Sequence, residues 1–80
     1  MRLIGQIPHP SLLISVFKSN NKFILKFEVG PFEQTYKILE TDQLNDFEGV
    51  RRLVTEECIA EVFRIFDSMN HHYKKLNSGL

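Results

Sequence analysis

The sequence predicts an α+β domain: an antiparallel β-meander of three or four strands, then a short helix, then one long C-terminal amphipathic helix packed on the sheet. Three observations carry this reading. Apolar and polar residues alternate through Lys22 to Val29 and again through Phe32 to Ile38, the period-two pattern of half-buried strands. The links between consecutive runs are short and built from turn formers, Ser19-Asn20-Asn21 and Gly30-Pro31, which join antiparallel neighbours. From Thr55 onward the apolar spacing changes to steps of three and four, the helical period.

In chain order, Leu3 to Ile7 is a candidate short strand that Gly5 weakens. Pro8-His9-Pro10 ends it, because neither proline can donate to a ladder. Ser11 to Lys18 is the first clear strand. Leu12, Leu13, Ile14, Val16 and Phe17 place apolar side chains on both of its faces, which suits a strand covered on both sides, with a second copy of the chain as one cover. The asparagines that follow tolerate the left-handed backbone that tight hairpins need. In the next strand Phe23, Leu25, Phe27 and Val29 point one way, and Lys22, Ile24, Lys26 and Glu28 the other. In the last, Phe32, Tyr36 and Ile38 oppose Glu33, Thr35 and Lys37.

Thr41-Asp42 can cap a helical turn with Leu44, Phe47 and Val50 on one side, and Gly49 makes that helix short or broken. Thr55 is a good N-cap for the final helix, which is expected from about Thr55 to about Leu76. Glu56 and Glu57 follow it, Lys74 and Lys75 sit near the far end, and both pairs match the helix dipole. Ile59, Val62, Phe63, Phe66, Met69, Tyr73 and Leu76 form the apolar stripe, which Cys58 and Ile65 widen. Asn77-Ser78-Gly79 stops the helix. About 22 helical residues at about 1.5 Å each reach roughly 33 Å, whereas a strand of about eight residues spans roughly 26 Å. The helix is therefore expected to overhang its sheet, leaving Met69, Tyr73 and Leu76 to be covered by a partner chain. Twofold symmetry is the commonest way to supply one.

Eighty residues accommodate a single domain, residues 1–80, with a marginal core. Cys58 is the sole cysteine, so no internal disulfide can form, and a lone thiol suits a reducing cytoplasm. No stretch has the length of a signal-peptide core or of the roughly 20 apolar residues that cross a bilayer. Residues 1–38 hold five basic side chains (Arg2, Lys18, Lys22, Lys26, Lys37) against two acidic ones (Glu28, Glu33). Residues 39–80 hold five basic against eight acidic ones. The halves thus carry opposite surpluses of three charges. That could draw two copies together, but it is too small to imply a nucleic-acid or membrane partner.

Each candidate for chemistry has a plainer reading. Cys58 lies in the first turn of a helix, where a thiolate can be favoured, yet Glu56 and Glu57 oppose it and its place on the apolar stripe makes it a packing residue. His71 and His72 point about 100° apart on a helix, and Asp67 with His71 supplies at most two ligands, so no metal or cofactor site is expected. His9 between two prolines could serve recognition or act as a general base, and a rigid surface loop is the default. Lys18, Lys22, Lys26 and Lys37 invite a phosphate-binding reading. Sheets that bind RNA display aromatics on the same open face as the basic residues, and here Phe23 and Phe27 oppose Lys22 and Lys26. Glycine-rich phosphate loops and the GxSxG, HExxH and CxxC patterns are absent from the sequence.

Ile7-Pro8-His9-Pro10, the run Lys22-Phe23-Ile24-Leu25-Lys26-Phe27-Glu28, the segment Phe32-Glu33-Gln34-Thr35-Tyr36-Lys37 and the later Phe66-Asp67-Ser68-Met69 give the chain a resemblance to a group of short uncharacterised bacterial proteins. The resemblance covers most of the chain and implies a bacterial, cytoplasmic setting. It implies no activity and no residue role. The expectation is a non-enzymatic module that forms a homodimer and binds another protein, with His9, Met69, Tyr73 and Leu76 as the candidate interaction surface. The alternative is a nucleic-acid accessory protein that uses the lysine-bearing face, and a third reading is a small enzyme that pairs His9 with a carboxylate across a dimer cleft.

Overall fold

The computed structural model describes residues 1–79. Four strands, β1 (Arg2–Ile7), β2 (Leu13–Ser19), β3 (Lys22–Val29) and β4 (Phe32–Leu39), form one sheet in the order β1-β2-β3-β4. Every neighbouring pair is antiparallel. Two helices follow, α1 (Phe47–Leu53) and α2 (Glu56–Ser78). The meander is thus four-stranded, and Leu3 to Ile7 belongs to it.

The two inner hairpins close through two-residue turns, between the pairs Ser19–Lys22 and Val29–Phe32. Asn20 and Gly30 open these turns with φ of 55° and 54°, the left-handed backbone that Asn tolerates and Gly adopts freely. Register then fixes the faces. Ile14, Val16, Phe23, Leu25, Phe27, Gln34, Tyr36 and Ile38 share the face that carries the helices. Phe23, Phe27, Ile14 and Val16 are almost wholly enclosed there, together with Val50 of α1 and Val62 and Phe66 of α2. The second face of β2 is covered less fully than its sequence suggests. Leu13 is half-exposed, and Phe17 is partly sheltered by the Lys26 ammonium 5.5 Å from its ring centre.

β1 carries a bulge at Ile4, between Leu3 and Gly5. A side chain at Gly5 would meet the ring of Phe47, whose Cδ1 and Cζ lie 2.7 Å from where a Cβ would sit. Gly5 is therefore the seat for α1 rather than simply a weak point in the strand. α1 also begins later than expected. The Thr41 hydroxyl accepts from Leu44 N at 3.1 Å, but that turn closes on itself through Thr41–Leu44 backbone bonds of 2.9 and 3.2 Å. Asp46 is the N-cap, accepting from Gly49 N at 2.8 Å. Gly49 thus falls in the first turn of α1, where the Asp46 cap offsets its low propensity.

Thr55 caps α2 as its sequence predicts, accepting from Cys58 N at 3.1 Å, and the helix runs two residues past Leu76 before Gly79 ends it. Ile59 lies by Ile7, His9 and Ile14 at one side of the sheet. The Val62 carbonyl sits above β4, and the rings of Phe66 and Tyr73 lie 6.3 and 5.3 Å from that of Phe32. α2 therefore crosses the sheet from the β1–β2 side and leaves it at β4. From Asn70 to Gly79 every residue is exposed. The radius of gyration is 14.3 Å, against about 12 Å for a compact chain of this length, and the projecting helix accounts for the excess. No described helix is long and apolar enough to cross a membrane.

Gly5→Ala forces Phe47 off its seat, so overpacking should cost about 1–3 kcal/mol and lower the melting temperature by roughly 5–20 °C. Thermal denaturation followed by circular dichroism checks this, and an unchanged midpoint would contradict the seat.

Candidate protein-interaction surface

α1 and α2 do not cover the whole helical face of the sheet. α2 crosses the end where Ile14, Phe27 and Gln34 lie in one row, and α1 sits over the β1 side. Between them, above the far end of β4, an open groove of about 430 Å³ remains. Tyr36 and Ile38 form its floor, Cys58 and Ile65 of α2 one wall, and Leu53 at the end of α1 the other. Tyr36 and Leu53 are exposed at 41% and 49%, which is unusual for large side chains on the inner side of a small domain.

Gln34 fixes the edge of this groove. It is 7% exposed, and its Nε2 donates to the Val62 carbonyl of α2 at 2.9 Å. Its Oε1 accepts from the Tyr36 hydroxyl at 2.6 Å. The Tyr36 ring meets Phe27 edge-on at 6.1 Å. A buried amide left unpaired is costly, so this arrangement locks the position of α2 on β4. Gln34 shares a strand face with Phe32, Tyr36 and Ile38, and that phase was the available signal for its role.

Of the residues singled out from sequence, Met69 packs against this chain's own core rather than waiting for a partner's cover, Tyr73 lies against Phe32, and Leu76 falls on the projecting end of α2. Met69 is partly buried, Tyr73 is 40% exposed and Leu76 58% exposed. His9 lies apart from them, near the start of α2. Its Nδ1 accepts from the backbone N–H groups of Ser11 and Leu12, both at 3.1 Å, and its ring lies 5.9 Å from that of Phe63. His9 thus holds the β1–β2 loop in shape, with that nitrogen occupied. It lines a shallow cleft with Thr55, Glu56 and Ile59.

The four lysines divide between faces. Lys22, Lys26 and Lys37 share the open face, with Phe17 and Ile24 among them. Lys18 pairs in register with Phe23 and so belongs to the helical face, where it meets Glu40 at 3.2 Å and the Phe23 ring at 5.3 Å. Lys26 approaches Glu33 at 3.9 Å. Among the described residues no three His, Cys, Asp or Glu side chains come together to hold a metal. Cys58 lines the groove, and burial pushes its thiol up from the ordinary range. Burial there disfavours the charged thiolate. Glu61 is held below the usual carboxylate range by its hydrogen bond to Arg64, a solvent-exposed pair on the helix surface that contributes little to stability.

The chain matches no protein-family model, no curated protein and no solved structure.

A raised thiol pKa keeps Cys58 neutral at pH 7–8, so iodoacetamide should label it several-fold more slowly in the folded protein than in urea. The folded rate should rise only as pH climbs past the ordinary thiol range. Native labelling as fast as the unfolded chain at pH 8 would contradict the burial.

Proposed function

We propose that this chain is a non-enzymatic protein-interaction module that associates with a second copy of itself. The supporting observation is that the apolar stripe of α2 outlasts its sheet: it continues from Val62, Phe66 and Met69 to Tyr73, which rests on Phe32 yet is 40% exposed, and to Leu76, which is 58% exposed. The uncovered groove beside β4 offers further apolar surface on the same side of the sheet. Small domains often reach adequate burial by oligomerising, and a homodimer would do so here. The resemblance to short bacterial proteins adds a bacterial cytoplasmic setting to the proposal. Binding of another protein is the natural extension of the same surface. Sedimentation equilibrium at 5–200 μM (a range set by roughly micromolar affinity) should show a concentration-dependent dimer that Leu76→Lys weakens about tenfold or more. A strict monomer throughout that range would remove the reading.

A second reading has one observation in its favour. Phe17 stands on the open face with Lys22, Lys26 and Lys37, so this face combines an aromatic ring with basic side chains, as single-strand-binding surfaces do. It would make the protein an accessory to nucleic acid. Salt-sensitive binding of a single-stranded oligonucleotide, lost when Lys22→Glu and Lys26→Glu are combined, supports that role. Absence of binding at low salt excludes it.

A further inference from the structure

We infer that the free edge of β4 is the dimerisation seam, and that two copies join there as antiparallel strands with Thr35 opposite Thr35, making one continuous eight-stranded sheet. The inference rests on the self-association proposed above and gives it a surface and a register.

The two edges of the sheet are not equivalent. β1 is interrupted by the bulge at Ile4, loaded by Phe47 at Gly5 and followed by Pro8 and Pro10, features that blunt an edge. β4 is eight residues long and pairs with β3 without any irregularity. Backbone direction along β4 is set by its hairpin. The closing pair Val29–Phe32 of a two-residue turn is hydrogen-bonded, and hydrogen-bonded pairs alternate along an antiparallel ladder. The even residues of β4 therefore bond to β3. Glu40 continues this phase, donating its N–H to the Asn21 carbonyl at 2.8 Å. Glu33, Thr35 and Lys37 turn their N–H and C=O groups outward, where they meet no other described backbone group.

Charge then selects the register. Outward groups can meet outward groups only when odd residues oppose odd residues. Sliding by two residues either way would set Glu33 against Thr35 or Leu39. Centring the pairing on Thr35 sets Glu33 against the partner's Lys37, and Lys37 against the partner's Glu33. Lys37 makes no ion pair with any other described residue, and Glu33 has Lys26 at 3.9 Å as its ion-pair partner and accepts from the Thr35 hydroxyl at 3.0 Å. On the helical face the same register sets Phe32 beside the partner's Ile38, and Gln34 beside the partner's Tyr36. A twofold axis normal to the sheet keeps both helical layers on one side. α2 leaves its own sheet at Phe32, so its projecting turns are directed toward the partner's Ile38 and the open groove next to it. The seam thus accounts for three loose ends together: the unpaired edge, the uncovered groove and the exposed end of the helix. The charges specify the register more than the affinity.

The test uses the full chain and three variants, Glu33→Lys, Lys37→Glu and the two combined, in sedimentation velocity at low and moderate salt. Circular dichroism and thermal melts establish that each variant is folded. The wild type is expected to dimerise, and each single variant to associate roughly tenfold more weakly, since like charges then face each other across the seam. The combined variant should regain wild-type association. An equimolar mixture of the two single variants should form a heterodimer, because the two lysines on the seam of one chain then face the two glutamates on the seam of the other. A wild-type dimer that both single variants match in affinity would overturn the seam and leave self-association standing. A wild-type monomer would overturn both.

Discussion

The hydrogen bond from Gln34 Nε2 to the Val62 carbonyl decides where α2 lies. It is enclosed between sheet and helix, the Gln34 Oε1 is in turn satisfied by the Tyr36 hydroxyl, and no buried side-chain polar atom among the described residues lacks a partner. Apolar burial is non-directional, so Val62 and Phe66 alone would tolerate a helix turned or slid on the sheet. A buried amide would not, because a shift of α2 would strand it without a partner. The helix is thereby held across β4 rather than along the strands.

The consequences are geometric. A helix of 23 residues crossing a four-stranded sheet runs out of support once it passes the edge strand. Its stripe stays apolar through Leu76, and its last buried residue is Phe66. Because α2 occupies one end of the helical face and α1 the β1 side, the far end of β4 remains open. The groove and the projecting helix thus stem from one docking angle, and the free strand edge from the place of β4 at the end of the sheet. They lie side by side on the same flank of the molecule. The opposite flank shows the reverse: a bulge, two prolines, and a glycine filled by Phe47. An open edge on one flank and a sealed edge on the other is the distribution expected of a domain that pairs in one direction and stops.

Much of the fold was legible because local periodicity carried it. The strands Lys22–Val29 and Phe32–Leu39 alternate except at Ile24, Gln34 and Leu39, and Thr55 with its following acidic pair marks the start of α2. β1 was ambiguous because its bulge breaks the alternation and its glycine answers to Phe47, a contact more than forty positions away in sequence. α1 was placed too early because Thr41 and Asp46 are both good caps, and only the packing of Val50 beneath the helical layer chooses between them. Lys18 looked like a companion of the other lysines. Its face depends on the hairpin register, which sets it opposite Phe23. The overhang of α2 could be read from length alone, but the groove could not, since it depends on the crossing angle that Gln34 imposes. Nor did the spacing around His9 reveal that its Nδ1 is taken up by the Ser11 and Leu12 amides.

Self-association through β4 is most directly tested at its outward backbone. Residue-resolved hydrogen exchange, measured by NMR across a dilution series, separates the two classes of amide in that strand. Gln34, Tyr36 and Ile38 should be protected at every concentration, since they bond to β3. Glu33, Thr35 and Lys37 should become protected only as the dimer forms, in step with its sedimentation. Fast, concentration-independent exchange at Glu33, Thr35 and Lys37 would contradict the central claim.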